Sequence, residues 1–314
     1  MQDFKALATA LGDRLKANFK REKVDVNRAA SRYVAERVLA HWQAVFGPAP
    51  FVVHGGLMFP QSMRPTEDGD IVVVRRFSEM EIENGFARMS ALLRLEGIEL
   101  RRFRIQQIDV GTGQPVTRIK IEAMCGTLRG NTHIDIAVAA GPHALPKGIA
   151  KVELPSMVRG EPGLVVHVQP LAAAAAEKWF AVLQQDTSDY RVKHAMDLLS
   201  FDEMGVDPAA VAVEMIRIAR HRGLSMSVCA PAPRNLEWSS FVLRAEAWFK
   251  TGAERGVTVD PLSAREMLTS YWARTHQALT KAVIAEVRDR EYQTTLVDRI
   301  AARQQPAPAF RPTP

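Results

Sequence analysis

The sequence predicts an α+β protein, with a mixed sheet and flanking helices in its first half and an all-α second half. Between residues 51 and 139 lie segments rich in Ile and Val, in which an apolar residue recurs at roughly every second position, as in strands. From Gln169-Pro170 to about residue 302, apolar residues recur at the helical period instead. The predicted divisions are an N-terminal domain over residues 1–165, a helical C-terminal domain over 166–302 and a disordered, Pro-rich tail over 303–314.

Two helices are predicted ahead of the first strand. The first covers residues 1 to about 22, where apolar side chains recur three or four positions apart. The second begins at Asn27, a residue type favoured as an N-cap, and stops at Gly47. Together these helices form a helical preface to the sheet.

The sheet region follows, with one helix among its strands. FVVHGG (residues 51–56) indicates a short strand that leads into a glycine pair, and residues 70–75 indicate a second strand. Ser78 is predicted to cap a helix that ends at Gly97. Three further segments have the composition and period of strands: ELRRFRIQQIDVG, VTRIKIEAMCG and THIDIAVAAG.

Helix signals dominate the second half. Pro170 opens a helix-forming alanine run, and Asp207, Pro208 and Gly223 mark the ends of another helix. The remaining predicted helices lie behind Ser188 or Asp189, around Leu236–Lys250, and from Asp260 to about Ala301.

The composition is that of a soluble globular protein. Hydrophobic residues make up 47% of the chain, yet no segment approaches the roughly 20 apolar residues of a membrane span. The N-terminal stretch carries acids early, unlike a signal or transit peptide. Cys125 and Cys229 lack metal-like spacing, and the formal net charge of +6 permits a polyanionic partner without requiring one. We therefore expect a cytoplasmic protein with no membrane partner.

Asp68 and Asp70 stand one residue apart at the mouth of a predicted strand, in RPTEDGDIVV. Successive strand side chains alternate between faces, so both carboxylates point the same way if strand geometry has begun. Two carboxylates on one face repel each other unless a cation lies between them, and Mg²⁺ takes oxygen ligands of this kind. Since Asp-Gly is also a turn dipeptide, a solvated turn is the alternative.

Two other motifs suit the same chemistry. Gly55 and Gly56 follow a strand, where exposed N–H groups can bind phosphates, although a plain tight turn is the alternative. Asp135 lies between isoleucines, which is unusual for a strand aspartate. It either pairs with an arginine or joins the other two acids as a third carboxylate.

Cationic candidates lie mainly in the helical half. Lys178 stands beside an apolar stripe, and Arg191 and Asp197 are on the next predicted helix. Such charges are usually solvated, and the functional alternative is that the cations neutralise a triphosphate. The basic cluster of Arg101, Arg102 and Arg104 either touches nucleic acid or forms a solvated strand edge.

The order of these motifs resembles the nucleotidyltransferase superfamily that shares the polymerase-β palm. Within it, the chain is similar to the AbiEii/AbiGii toxins of type IV toxin–antitoxin systems, a family that includes the MenT-type toxins. The resemblance spans about residues 28–250. Its segments are SRYVAERVLAHW, FVVHGG, RPTEDGDIVV, THIDIAV and PLAAAAAEKWFAVLQQDTSDYRVKHAMDLLSF.

The resemblance implies an enzyme that transfers a nucleoside monophosphate from an NTP to the 3′ end of tRNA and so stops translation. It implies two Mg²⁺ ions held by Asp68, Asp70 and Asp135, with Asp135 helping to deprotonate the acceptor hydroxyl. Gly55 and Gly56 would cradle the triphosphate. The other implied site residues are Lys178, which is both catalytic and nucleotide-binding, and the nucleotide-binding residues Arg64, Thr66, Arg191 and Asp197. A cognate antitoxin that acts without a tight complex is the implied partner.

The chain departs from the family pattern at three positions. Leu57 follows the glycine pair where the family often has Ser or Thr, which leaves backbone contacts or a substitute hydroxyl such as that of Thr66. His194 replaces the first acid of the lysine motif, and Gly69 stands where Ile or Leu is usual, which would loosen the start of the strand.

Two other functions therefore stay open. One is nucleotidylation of a small molecule or a protein. This function is favoured if Arg101, Arg102 and Arg104 face away from the acids. The other is a catalytically degenerate NTP-binding protein, which Leu57 and His194 favour.

Overall fold

The computed structural model of the chain describes residues 3–22, 25–59, 66–109, 115–141, 143–184, 190–224 and 261–303. The helices within these ranges are α1 (Phe4–Glu22), α2 (Val26–Ala40), α3 (Trp42–Phe46), α4 (Glu79–Leu95), α5 (Leu171–Gln184), α6 (Tyr190–Glu203), α7 (Pro208–His221) and α8 (Pro261–Arg303). The strands are β1 (Phe51–His54), β2 (Gly69–Val73), β3 (Ile98–Asp109), β4 (Pro115–Cys125), β5 (Leu128–Val138), β6 (Ala150–Leu154) and β7 (Leu164–Val168). The predicted α+β class is confirmed.

The described strands form one mixed, seven-stranded sheet in the order β3-β4-β5-β2-β1-β7-β6. The pairs β2–β5 and β1–β7 are parallel, and the others are antiparallel. β2, which follows Asp68, therefore lies in the middle of the sheet between β5 and β1. This position brings residues that are far apart in sequence beside it.

One face of β3, β4 and β5 packs against α1, α2 and α4. The isoleucines that face this layer are almost completely buried: Ile119, Ile121, Ile134 and Ile136. Burial of each contributes about 1.5–3 kcal/mol, and a slip of one residue would move all of them to solvent. At Gly130, α2 approaches so closely that an added Cβ would lie 3.1 Å from the Ala30 carbonyl oxygen. This packing fixes which side chains point to the opposite face.

The observed N-cap residues agree with the predicted ones at two helices and differ at a third. Ser78 and Glu81 form a reciprocal capping box at α4, and Asp207 caps α7. At α2, the predicted N-cap Asn27 is wrong, because the Asp25 carboxylate accepts from the N–H groups of residues 27 and 28. The Asn27 side chain instead accepts from the N–H of Arg129, which ties α2 to the start of β5.

Strands β6 and β7 were not predicted, and β7 extends the sheet to Val168, past the predicted boundary at residue 165. The division into domains stays a prediction.

A second hydrophobic core joins α5, α6, α7 and α8, and the rings of Phe59 and Phe201 lie 5.2 Å apart within it. Within the described part of the chain, no helix is long and apolar enough to cross a membrane. Three predictions concern residues outside the described ranges. They are the N-cap at Ser188 or Asp189, the helix around Leu236–Lys250, and the tail from residue 304 to residue 314.

Candidate active site

Four polar residues form a row across neighbouring strands. Strand registers pair His54 of β1 with Asp70 of β2, Asp70 with Asp135 of β5, and Asp135 with Arg118 of β4. Directly paired residues project from the same face of a sheet, so the four side chains are neighbours. The row joins two acids predicted from the sequence to two residues that were not predicted.

Asp68 joins this row through a histidine. Its carboxylate Oδ1 lies 2.8 Å from Nδ1 of His133, and Nε2 of the same ring lies 3.8 Å from Oδ2 of Asp135. Asp70 is paired directly with Asp135. The three acids predicted as a set therefore converge at the start of β2, beside an interior position of β5.

The turn proposed as an alternative for Asp68-Gly69 is wrong, because β2 already begins at Gly69. Neighbouring side chains fill the space beside Gly69. An added Cβ would lie 2.7 Å from Cδ1 of Ile134 and 3.3 Å from Cδ1 of Leu57. A larger residue at this position would require the ends of these side chains to shift, and a loosened strand start stays a prediction.

Arg118 binds Asp135 with both ends of its guanidinium group. Its Nε and an Nη each donate a 2.7 Å hydrogen bond to a different carboxylate oxygen. The side chains are 28% and 12% exposed, so the pair is only partly screened by water. Hydrogen bonding to Asp135 raises the pKa of Arg118. The predicted arginine salt bridge is therefore confirmed, and Asp135 also faces Asp70, while its role as a third metal-holding carboxylate stays a prediction.

Asp70 is the acid whose charge is least compensated. Burial raises its pKa, and although His54 and Lys178 act in the opposite direction, the carboxylates of Asp135 and Asp68 reinforce the rise. A cation beside this carboxylate would stabilise its charged form. The oxygen atoms of Asp68 and Asp70 fit the preference of Mg²⁺ for carboxylate ligands.

Asp135, the third carboxylate, is less suited to bind a metal ion than Asp68 and Asp70. Asp135 directs both of its oxygens to Arg118. Among the residues that the structure describes, no group of three or more His, Cys, Asp or Glu side chains is arranged to hold a metal ion. Metal binding by Asp68, Asp70 and Asp135 stays a prediction.

The glycine pair makes room for one of the acids. Gly55 has φ of +72°, and a Cβ there would overlap Oδ2 of Asp70. A Cβ at Gly56 would overlap the hydroxyl of the buried Thr66. The next residue, Leu57, is fully buried in the hydrophobic core. The absence of a hydroxyl at residue 57 thus has a structural reason, while phosphate binding by this turn stays a prediction.

His54 and Glu177 connect the sheet to α5. The His54 Nδ1 lies 3.8 Å from Oε2 of Glu177, which accepts a 3.2 Å hydrogen bond from Gln169. Burial opposes a charged imidazole, but Glu177 and then Asp70 raise the pKa of His54 overall. Burial also opposes a charged Glu177, yet His54, Gln169 and Arg222 lower its pKa to about 2. The pair is therefore an ion pair at moderately acidic pH.

Lys178 is held within the helical half. Its Nζ lies 3.3 Å from Oδ2 of Asp197 and 3.3 Å from Nδ1 of His194, and its side chain is 14% exposed. Its charge lowers the pKa of Asp70 and so acts on the row of acids. Nucleotide binding by Lys178 and Asp197 stays a prediction. Arg64 and the side chain of Arg191 lie outside the described residues.

Some site residues carried a sequence signal and others carried none. His54 directly precedes the glycine pair, and His133 lies two residues before Asp135, so both could have been found from spacing. Arg118 and Glu177 reach the site only through strand pairing and helix packing. No local pattern distinguishes them from other charged residues.

Comparison with known proteins gives a family match and a fold match. The family model described as nucleotidyl transferase AbiEii toxin, type IV TA system, matches residues 37–313. No curated protein matches the chain. Among solved structures, JHP933 from Helicobacter pylori resembles the chain with a TM-score of 0.50 and 11% identity, over 85% of this chain and 99% of that one. This likeness shows a shared fold.

Two further solved structures are similar over comparable lengths. A putative nucleotidyltransferase from H. pylori has a TM-score of 0.47 and 11% identity, over 81% of this chain and 94% of its own. MenT4, a nucleotidyltransferase toxin from Mycobacterium tuberculosis, has a TM-score of 0.48 and 16% identity, over 88% of each chain.

Proposed function

Because this chain belongs to the AbiEii nucleotidyl transferase toxin family of type IV toxin–antitoxin systems, we propose that it transfers a nucleoside monophosphate from an NTP to the 3′ end of tRNA. Blocked translation is the proposed consequence. The observation that carries the proposal is the register of β1, β2 and β5, which sets Asp70 beside Asp135 and next to the glycine turn. Carboxylates arranged in this way could bring a phosphate and a hydroxyl together, which supports the proposal.

Asp68 and Asp70 are the residues that would hold Mg²⁺, with Asp135 as a third ligand when it is released from Arg118. Two ions are the proposed cofactor. When bound, Mg²⁺ neutralises phosphate charge and favours the ionised acceptor hydroxyl. The raised pKa of Asp70 supports this assignment, because its carboxylate is buried and also lies among other negative charges.

The proposed reaction is a displacement at the α-phosphorus of the NTP. The 3′ oxygen of the acceptor bonds to this phosphorus, the bond to the bridging oxygen of the β-phosphate breaks, and pyrophosphate leaves. Asp135 receives the hydroxyl proton on an oxygen that is released from Arg118, while the second hydrogen bond to Arg118 keeps the carboxylate oriented. Gly55, Gly56 and Lys178 bind the triphosphate, and Arg64, Thr66, Arg191 and Asp197 complete the proposed nucleotide site.

Label transfer tests this function directly. The protein is incubated with each α-labelled NTP, Mg²⁺ and total tRNA, and labelled RNA is resolved on a gel. We expect transfer by the wild type and its loss in Asp70→Asn, which keeps the shape of the side chain. Asp13→Asn, an exposed change on α1, is the matched control. Absence of transfer in the wild type, or transfer that survives Asp70→Asn, contradicts the proposal.

The proposed partner is a cognate antitoxin that does not form a tight complex. The type IV classification of the family supports this proposal. Co-expression of the tagged chain with the product of an adjacent gene, followed by size-exclusion chromatography, tests it. Rescue of growth without co-elution is the expected result, and a stable complex is the contrary one.

A second candidate is a catalytically degenerate NTP-binding protein. The bidentate pair between Arg118 and Asp135 favours it, because both oxygens of the third acid are already engaged. A measurement of nucleotide affinity with and without Mg²⁺ separates the two cases. A catalytic site prefers the triphosphate and depends on Mg²⁺, whereas a binding scaffold without a metal site is indifferent to Mg²⁺.

A further inference from the structure

The acids lie on the face of β3, β4 and β5 opposite the helical layer. The helical layer covers the face with Ile119, Ile121 and Ile134, all of which are nearly inaccessible. On the acid face, the side chains of Arg104 and Lys120 are exposed, whereas Val116, on the other side of Arg118 along β4, is buried. Over the described residues, the part of this face that carries Arg104 and Lys120 is therefore an open surface next to the candidate active site.

Strand register identifies the charged residues on this open face. Arg104 of β3 pairs with Lys120 of β4, which pairs with His133 of β5. One step further from the acids, Arg102 pairs with Glu122. The exposed basic residues of this face are Arg102, Arg104, Lys120 and Arg129, which we call the basic stripe. Its acidic residues outside the site are Glu99 and Glu122, and Glu99 is paired with Arg101 beside the strand irregularity.

The sheet order separates the basic stripe from the glycine turn. The turn follows β1, on one side of the acids, whereas β4 and β3 lie on the other side. At the usual strand spacing, β4 and β3 lie about 14 Å and about 19 Å from β1. A triphosphate at the turn would therefore not reach the stripe. The stripe is placed for the second substrate.

We propose that the basic stripe binds the phosphate backbone of the acceptor RNA and directs its 3′ end to the acids. This inference rests on the proposed function. Neighbouring positive side chains on adjacent strands suit a polyanion, and they lie on the face that carries Asp70 and Asp135. A small acceptor would need no such surface.

The stripe recognises the backbone rather than the bases. Phe103, the one Phe, Tyr or Trp residue of β3, β4 and β5, faces the helical layer, where its ring lies 5.0 Å from that of Phe86. Apart from the His133 imidazole, which lies against Asp68, these three strands therefore offer charge and hydrogen-bond donors on this face but no aromatic ring on which a base could stack. Binding at the stripe should depend on salt more than on RNA sequence.

Charge reversal tests the stripe against a matched control. The test variant is R104E/K120E, and the control is K5E/K20E, which makes the same change in net charge on α1, behind the sheet. The full chain is titrated into fluorescein-labelled tRNA between 50 and 200 mM salt, and anisotropy gives Kd. We expect R104E/K120E to weaken binding at least tenfold and to reduce the slope of log Kd against log salt by roughly two. K5E/K20E should stay within about twofold of the wild type.

Nucleotide affinity and transfer, measured on the same variants, separate this inference from the proposed function. R104E/K120E should keep its affinity for a fluorescent NTP and raise KM for tRNA. Suppose that the wild type binds tRNA without transferring a nucleotide and that R104E/K120E weakens this binding. This result supports RNA binding by the basic stripe and contradicts the proposed function. If R104E/K120E binds tRNA as tightly as the wild type, or if both variants lose affinity equally, the proposal that the basic stripe binds RNA is wrong. Thermal unfolding verifies folding, and R104A/K120A replaces the charge reversal if that variant unfolds.

Discussion

Arg118 and Asp135 are directly opposite each other on β4 and β5 and form two parallel hydrogen bonds of 2.7 Å. Asp135 thus has a cation of its own chain bound to both carboxylate oxygens, whereas the charges of His54 and Lys178 offset the burial of Asp70 only in part. A divalent ion that draws Asp135 toward Asp70 must compete with Arg118. The balance between these two partners sets how readily the three carboxylates act together.

Removing the guanidinium should make the protein depend more on Mg²⁺. In Arg118→Met, the charge of Asp135 loses its partner, and the free energy of unfolding should fall by about 1–3 kcal/mol, less than for a fully buried pair. Mg²⁺ should then raise Tm more in this variant than in the wild type. Thermal unfolding with Mg²⁺ or EDTA measures the difference, with Arg118→Lys as the control that keeps the charge. Equal Mg²⁺ shifts in all three proteins would show that Arg118 and the metal do not compete.

Gly55→Ala should abolish nucleotidyl transfer. The residue has φ of +72°, and its added Cβ would overlap the Asp70 carboxylate. Gly47→Ala is a matched control, since Gly47 has φ of +97° but nothing within 4 Å of an added Cβ. Both changes should cost about 1–3 kcal/mol of stability through backbone strain. Transfer should fall at least a hundredfold in Gly55→Ala alone, and normal transfer by that variant contradicts a role for this turn.

The ion pair of His54 and Glu177 should stabilise the fold most at moderately acidic pH. The pKa of Glu177 is lowered from 4.5 to about 2, so its contribution is present above pH 4.5 and is lost as the pH falls toward 2. The pKa of His54 is raised from 6.5, so its contribution is present below pH 6.5 and is lost as the pH rises through the folded value. The window of greatest stabilisation is therefore pH 4.5 to 6.5.

Glu177→Gln measures this contribution. We expect a loss of about 2 kcal/mol within that window, after allowance for partial exposure of the carboxylate, and a smaller loss on either side. Thermal unfolding from pH 3 to pH 9 gives the profile. Glu203→Gln, an exposed change on α6, should leave stability unchanged throughout. A loss from Glu177→Gln that is constant with pH argues against the ion pair.

Lys178→Met should weaken NTP binding more than NMP binding. The lysine acts on Asp70 and is held by Asp197, so its charge lies near the site where the β- and γ-phosphates are proposed. We expect at least a tenfold rise in Kd for the NTP and a smaller rise for the NMP. Equilibrium binding well below Tm measures both, with the exposed Lys151→Met as the control. Equal losses for the two nucleotides indicate a structural role.

Much of the fold and part of the site could be predicted from the sequence. Strand periodicity, the capping box at Ser78 and the proline start of α7 are local properties, since each depends on residues within a few positions. Asp135 was also recognisable, because an aspartate within a strand contradicts local propensity, whereas Asp68 and Asp70 were distinguished from a solvated turn only by the order of the other motifs and by the family resemblance. Such conflicts between chemistry and local structure are expected at functional sites.

The tertiary structure decided how those residues are connected. Arg118 meets Asp135 and His54 meets Asp70 only because buried isoleucines and valines fix the strand registers. Gly69 looked like a turn signal, yet it pairs with Ile134 of β5 and is the first residue of β2. By itself, the sequence determined which groups were available for catalysis. Packing between distant segments decided which of them are neighbours, because register depends on the whole buried face.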